Sequence, residues 1–183
     1  MGFEDWEDVE LMASVASGEI SALGELVQRH QDKVLGLAYR MLGRWEAAED
    51  VAQDTFVRVY QAAPTYRPQA RFTTWLYRIV TNLCLDARRR ADRSPVTLGP
   101  TSDIPTPETA AASTEANERA QWVRRAVQDL PARQRAVLVL HRYQRLSYAE
   151  VAEVTGWSES AVESLLVRAY AALRRRLTKF QEK

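Results

Sequence analysis

Between Tyr66 and Arg90 the chain reads YRPQARFTTWLYRIVTNLCLDARRR, where aromatic rings (Tyr66, Phe72, Trp75, Tyr77) alternate with arginines (Arg67, Arg71, Arg78, Arg88, Arg89, Arg90). That pairing suits single-stranded nucleic acid. Cations follow the backbone and rings stack on exposed bases, at roughly 1–3 kcal/mol per base. Phe72 stands at a loop–helix junction, and Asn82 offers an amide able to read a base edge. The plainer reading puts Trp75 and Leu76 in a core with the arginines on the wet face, and for Trp75 that reading is preferred.

A second constellation is Ser147–Arg168, SYAEVAEVTGWSESAVESLLVR. Ser147 and Glu150 have capping-box spacing. Gly156 suits the left-handed turn between two helices, and Ser158 can cap the second one. Val151 and Ala152 share a face of the first helix, and Val162 and Leu165 form the buried side of the second. Glu159, Glu163, Ser164, Val167 and Arg168 are left outside. A helix of this kind enters a DNA major groove. There Arg168 can contact guanine, Glu163 can accept from cytosine N4, and Val167 can touch a thymine methyl. Alone, the segment also fits an ordinary packed helical corner, and Glu163 also fits a surface glutamate paired with an arginine.

The third constellation is acidic: Glu46, Glu49, Asp50, Gln53 and Asp54. Asp50 and Asp54 are four apart and share a helix face. Paired carboxylates can serve acid–base catalysis or a metal, but no histidine accompanies them, so a protein-docking or solvated face is the simpler reading. Phosphate-binding glycine loops and GxSxG are missing. The single cysteine, Cys84, rules out an internal disulfide or a cysteine-rich zinc site and is expected to be buried and inert. His30 falls on an apolar stripe and is expected to be a core histidine. The expectation is a non-enzyme with no cofactor and no metal.

These groups need scaffolding, and helical periodicity supplies it. Leu23, Leu26, Val27, His30, Val34, Leu37, Ala38 and Met41 recur at spacings of three and four, and Gly43 stops that helix. Glu46–Ala63 predicts a second helix ended by Pro64, with Val51, Phe56, Val57 and Tyr60 on related faces. Thr73–Arg93 predicts a third. Four of the seven prolines fall in Ser94–Asn117, among Ser, Thr, Ala and Asp. Such a segment buries too little surface to order itself and predicts a flexible linker. Glu118–Asp129, a helix after Pro131 and the helix-turn-helix complete the chain. The expected fold is all-α: two small helical domains, residues 1–93 and 118–183, joined by a Pro-rich linker at 94–117.

The net charge of +1 hides an asymmetry. Residues 1–64 carry twelve acids against five bases, and residues 65–93 carry seven bases against two acids. Residues 118–183 carry thirteen bases against seven acids. One surface can meet nucleic acid and another a basic protein. No run approaches the roughly 18 apolar residues of a membrane span. The acidic N-terminus is unlike a signal peptide, so a cytoplasmic protein without direct membrane insertion is expected.

Taken in order, the segments resemble an extracytoplasmic-function sigma factor of the sigma-70 family. AEDVAQDTFVRVYQ resembles region 2.2, RFTTWLYRIVTNLCLDARRR regions 2.3 and 2.4, and residues 129–175 region 4. The resemblance implies a subunit that binds core RNA polymerase and directs promoter-specific initiation, reading −10 as melted DNA and −35 as duplex. It implies that Asp50, Gln53, Asp54 and Phe56 meet the β′ clamp helices, with the β subunit also a partner. It places Arg71, Phe72, Arg78, Asn82 and Asp86 at the −10 element, and Glu163, Ser164, Val167 and Arg168 at the −35 element. Promoter DNA and an anti-sigma factor are the other implied partners. Glu163 stands where many relatives are basic, which puts the usual −35 sequence in question. The competing reading is a stand-alone helix-turn-helix regulator with a partner-binding N-terminal domain.

Overall fold

A computed structural model of the chain describes residues 6–93 and 114–181. Among the described residues there are eight α-helices and no strands: α1 (Asp8–Ala16), α2 (Ile20–Leu42), α3 (Trp45–Ala62), α4 (Phe72–Arg93), α5 (Thr114–Gln128), α6 (Ala132–Tyr143), α7 (Tyr148–Thr155) and α8 (Glu159–Gln181). A 3₁₀ turn, Ala63–Thr65, follows α3 where Pro64 interrupts the ladder. Helices α1–α4 form one domain and α5–α8 the other. The linker expected at 94–117 lies outside the described residues up to 113. Its last four positions are helical, because α5 begins at Thr114 rather than Glu118.

Helix α2 organises the first domain. Ala22, Leu26, His30, Val34, Leu37 and Met41 are buried along one stripe, the face that the 3.6-residue period places inward. Gly43 ends the helix at φ +77°, and its N–H reaches the Tyr39 carbonyl at 2.8 Å. Helix α1 was not anticipated from its short acidic sequence. It buries Leu11, Met12 and Val15, and Asp8 Oδ2 meets buried His30 Nε2 at 3.0 Å. Arg29 reinforces the attachment through the Trp6 carbonyl at 2.5 Å. Burial pushes the Asp8 carboxyl up, but the His30 hydrogen bond and charge, with Arg29, win and hold it below its ordinary value. Helix α4 packs on α2 and α3 and buries Leu76, Val80, Leu83 and Cys84. The Cys84 thiol is pushed up to about 12 by burial, the inert behaviour expected of it.

In the second domain six consecutive residues of α6, Arg135 to Leu140, are buried. A helix apolar all round must be covered all round, and α6 packs on α8, α7 and also on α2 and α4 of the first domain. The two domains are therefore docked. Arg135 is 2% exposed. Its guanidinium donates to the carbonyls of Val127 (3.1 Å), Leu130 (2.9 Å) and Gln128 in its own domain, and to Met41 of α2 at 2.6 Å. Gln128 Nε2 donates to the Arg40 carbonyl at 2.8 Å. The Arg124 guanidinium lies over the Tyr39 ring, and Arg40 lies 4.7 Å above the Tyr143 ring.

Candidate nucleic-acid and polymerase-binding surfaces

The helix-turn-helix forms as its spacing predicts. Ser147 Oγ accepts from the Glu150 N–H at 3.2 Å, while Glu150 Oε2 accepts from the Ser147 N–H at 2.8 Å. These bonds from the Ser147 backbone and hydroxyl, with Arg71 adding its charge, hold the Glu150 carboxyl below its ordinary value. Gly156 takes φ +72°, and Ser158 Oγ caps α8 by accepting from Ala161 N at 3.2 Å. Val151 and Val154 of α7 and Val162, Leu166 and Ala169 of α8 are buried, and α8 packs on both α6 and α7. Leu165, expected on the buried side, is only half-buried. Leu166 holds that place, because α8 continues the register set by Val162 and Ala169.

Glu163, Ser164, Val167 and Arg168 are all exposed on α8, with Val167 63% exposed. Their spacing of three and four puts them on one face. Among the described residues no ion pair ties Glu163 to an arginine. Arg133 stacks over Trp157 at 4.2 Å, bracing the turn that aims α8.

Helix α3 presents Asp50, Gln53 and Asp54 outward, while Phe56 is half-buried against the core. Val57 and Tyr60 extend the same exposed face at 52% and 46% exposure. Sequence reasoning placed them on a helix without assigning them to this surface. Val57 lies three and four positions after Asp54 and Gln53, and Tyr60 three after Val57, which was the available signal. The result is an acidic surface with an aromatic end, suited to a basic, partly apolar protein partner.

Helix α4 is less open. Asn82 is exposed, Asp86 is half-buried and bonded by Arg89, and Arg71 is exposed. Phe72 starts the helix as expected but is 4% exposed. It lies in an aromatic cluster, with ring centroids 5.2 Å from His30, 5.7 Å from Trp75 and 6.2 Å from Tyr66. Trp75 is half-buried in the same cluster. Arg78 Nη2 donates to the Glu153 carbonyl of α7 at 2.7 Å, and α7 packs along α4. Among the described residues no group of three metal-ligating side chains gathers anywhere, Asp50 and Asp54 included. No helix among them is long and apolar enough to cross a membrane. The residue sequence reasoning missed is Arg135. Its signal was the unbroken apolar run Ala136–Leu140, which needs cover on every side.

Residues 26–94 match the family described as Sigma-70 region 2, and residues 120–173 match Sigma-70 region 4. The extracytoplasmic-function sigma factor SigM of Mycobacterium tuberculosis is 35% identical over 96% of this chain and 87% of its own length. SigW of Bacillus subtilis is 32% identical over 89% of this chain and 92% of its own length. The chain belongs to the extracytoplasmic-function sigma factors of the sigma-70 family. It is a promoter-directing subunit for RNA polymerase. Among solved structures it is similar to CnrH in complex with the cytosolic domain of CnrY, with TM-score 0.69 and 32% identity over 94% of this chain and 97% of the other. The fold is also that of RpoE from Bartonella quintana in complex with the anti-sigma factor NepR, with TM-score 0.69 and 20% identity over 85% of this chain and 96% of the other.

Proposed function

We propose that this sigma factor divides promoter recognition between its domains: residues 1–93 read the −10 element as opened single strand, and residues 118–183 read the −35 element as duplex. The exposed face of α8, with Glu163, Ser164, Val167 and Arg168 on one side of a capped helix-turn-helix, carries this reading. Arg168 and Glu163 discriminate by base-edge hydrogen bonds, each good bidentate contact worth roughly 1–3 kcal/mol. Arg71, just before α4, and Arg78, Asn82 and Asp86 on it take the opened strand, and Phe72 becomes available only if its aromatic cluster rearranges.

The acidic face of α3, with Asp50, Gln53 and Asp54 outward and Phe56 behind them, docks on the β′ clamp helices, and the β subunit completes the seat. The polymerase performs nucleotidyl transfer, so this chain is not an enzyme and needs no cofactor. It acts in the cytoplasm. An anti-sigma factor is its regulator, by analogy with the complexes of CnrH and of RpoE. Run-off transcription with core polymerase, followed by start-site mapping, tests the assignment. Initiation at promoters sharing a −10 and a −35 sequence is expected, and initiation independent of this chain would refute it. A stand-alone regulator would bind duplex DNA without copurifying with core polymerase.

A further inference from the structure

Among the described residues, Arg145 is the one non-glycine with a positive φ, at +56°. A left-handed residue that carries a Cβ crowds the following carbonyl, so glycine, or a short polar residue such as asparagine, ordinarily fills such a position. An arginine gains nothing from its backbone here. We propose that the side chain is what is kept: Arg145 is a phosphate contact of the −35 duplex, set just outside the helix-turn-helix. The inference rests on the assignment of α5–α8 to that duplex and names a further residue of the same site.

The turn between α6 and α7 is held on both sides of Arg145. The Gln144 N–H reaches back to the Val139 carbonyl and the Leu146 N–H to the Leu140 carbonyl, both at 3.3 Å. His141 Nδ1 donates to the Leu146 carbonyl at 2.7 Å, and its ring meets that of Tyr148 at 5.1 Å. Leu146 packs half-buried against the core. A strained conformation persists where its surroundings over-determine it. The root of the Arg145 side chain is therefore fixed.

The rest of that side chain is free. Arg145 is exposed, and no hydrogen bond or ion pair engages it among the described residues. Arg142, three positions earlier, is exposed as well, and residues 142–147, RYQRLS, contain no acid. The turn offers an outside partner positive charge alone.

Its place suits a backbone contact. When the second helix of such a pair lies in the major groove, the first crosses the phosphate backbone. Arg145 stands two residues before Ser147, the N-cap of that first helix, α7. A helix N-terminus ordinarily offers a phosphate its free N–H groups. Here the capping box takes two of them. The Ser147 N–H donates to Glu150 Oε2 at 2.8 Å and the Glu150 N–H to Ser147 Oγ at 3.2 Å, so a carboxylate already sits at this end. A phosphate that approaches α7 needs a cation from beside the helix, and Arg145 supplies it. A guanidinium grips phosphate oxygens without regard to the base. Arg145 thus adds affinity and register, whereas Glu163 and Arg168 choose the sequence.

Relieving the strain and losing the contact should act in opposite directions. The full chain with Arg145→Gly should melt roughly 2–4 °C higher by circular dichroism, yet hold DNA more weakly. Fluorescence anisotropy is read with two duplexes of equal length, one carrying the −35 sequence found by start-site mapping and one scrambled. Both should lose affinity by the same factor. The slope of log affinity against log salt should become shallower by about 0.9, the share of one phosphate. Between about 50 and 200 mM salt the deficit should therefore shrink about three- to fourfold. Arg145→Asn tolerates the same backbone without the charge and should bind DNA as the glycine variant does. Arg145→Lys keeps both the charge and the strain and should retain the original slope.

Unchanged affinity and slope in both uncharged variants would overturn the proposal. So would a loss confined to the −35 duplex, which would make Arg145 a base reader. Unaltered DNA binding with weaker binding to core polymerase would assign the side chain to a protein partner and equally refute it. A glycine variant that melts lower than the original would end the argument that this backbone is kept at a cost. If the unmodified chain binds the −35 and scrambled duplexes equally, it is the assignment of α5–α8 to the −35 element that fails, while the salt slope still reports whether Arg145 meets phosphate.

Discussion

Arg135 sets the sharpest quantitative expectation. Its guanidinium is 2% exposed and donates to four backbone carbonyls, those of Val127, Gln128, Leu130 and Met41. Hydrogen bonds from a charged donor contribute about 1.5–3 kcal/mol each, so the four have a gross value of about 6–12 kcal/mol. Burial opposes them. Desolvation pulls the Arg135 pKa from 12.5 to about 10, with the Arg88 charge adding to the fall. That shift is an opposing cost of about 3 kcal/mol for holding the charge at neutral pH. Replacing Arg135 with Met keeps much of the volume and removes that cost, but strands several carbonyls away from water. The expected loss is about 3–5 kcal/mol, the low end of the gross hydrogen-bond value less that cost, out of a total of about 5–15 kcal/mol for a domain. Urea unfolding of the full chain followed by circular dichroism reads it as a lower midpoint. Arg135→Lys should recover part of the loss, since an ammonium has three donors for four acceptors. A midpoint for Arg135→Met within about 0.5 kcal/mol of the original would show that other groups satisfy these carbonyls, and the account of Arg135 as the joint between domains would fail.

Three further outcomes are expected. Arg168→Ala should weaken binding by roughly 1–3 kcal/mol at one −35 position; an equal loss on every duplex, measured by fluorescence anisotropy, would mean a phosphate contact instead. Asp54→Arg should reduce affinity for core polymerase in a pull-down titration while leaving −35 duplex binding intact, and unchanged polymerase affinity would remove Asp54 from the docking face. The Asp8 carboxyl is held below its ordinary value by His30 and Arg29, so its contribution is present above the unfolded pKa of about 3.9 and is lost as pH falls through the lower folded value. Asp8→Asn should therefore be less stable than the original at pH 7, and the gap in melting temperature should close as pH falls below the ordinary carboxylate range. A constant gap across that range would mean that the pair with His30 carries no pH-dependent stability.

The local signals proved reliable where backbone chemistry is local. The capping box of Ser147 and Glu150, the left-handed Gly43 and Gly156 and the break at Pro64 depend on residues within one turn of one another. The inward stripe of α2 followed from its period. Leu165 and Leu166 were exchanged because adjacent leucines both fit a helical stripe, and only the packing of α8 against α6 and α7 chooses between them. Helix α1 escaped notice because nine residues give little periodicity. Its place depends on Asp8 meeting His30, twenty-two positions away.

By itself, then, the sequence determined an all-α chain, a capped reading helix with Glu163 and Arg168 outside, and an acidic face at Asp50 and Asp54. Each follows from side-chain period and short-range hydrogen bonding. Tertiary structure alone decided that Phe72 sits among His30, Tyr66 and Trp75, that Arg78 is engaged by Glu153, and that Arg135 joins two helix ends. Those contacts join residues up to 94 positions apart. Arg78 stays exposed, so only the second domain shows which carbonyl it donates to, and only the packing of the two domains buries Arg135.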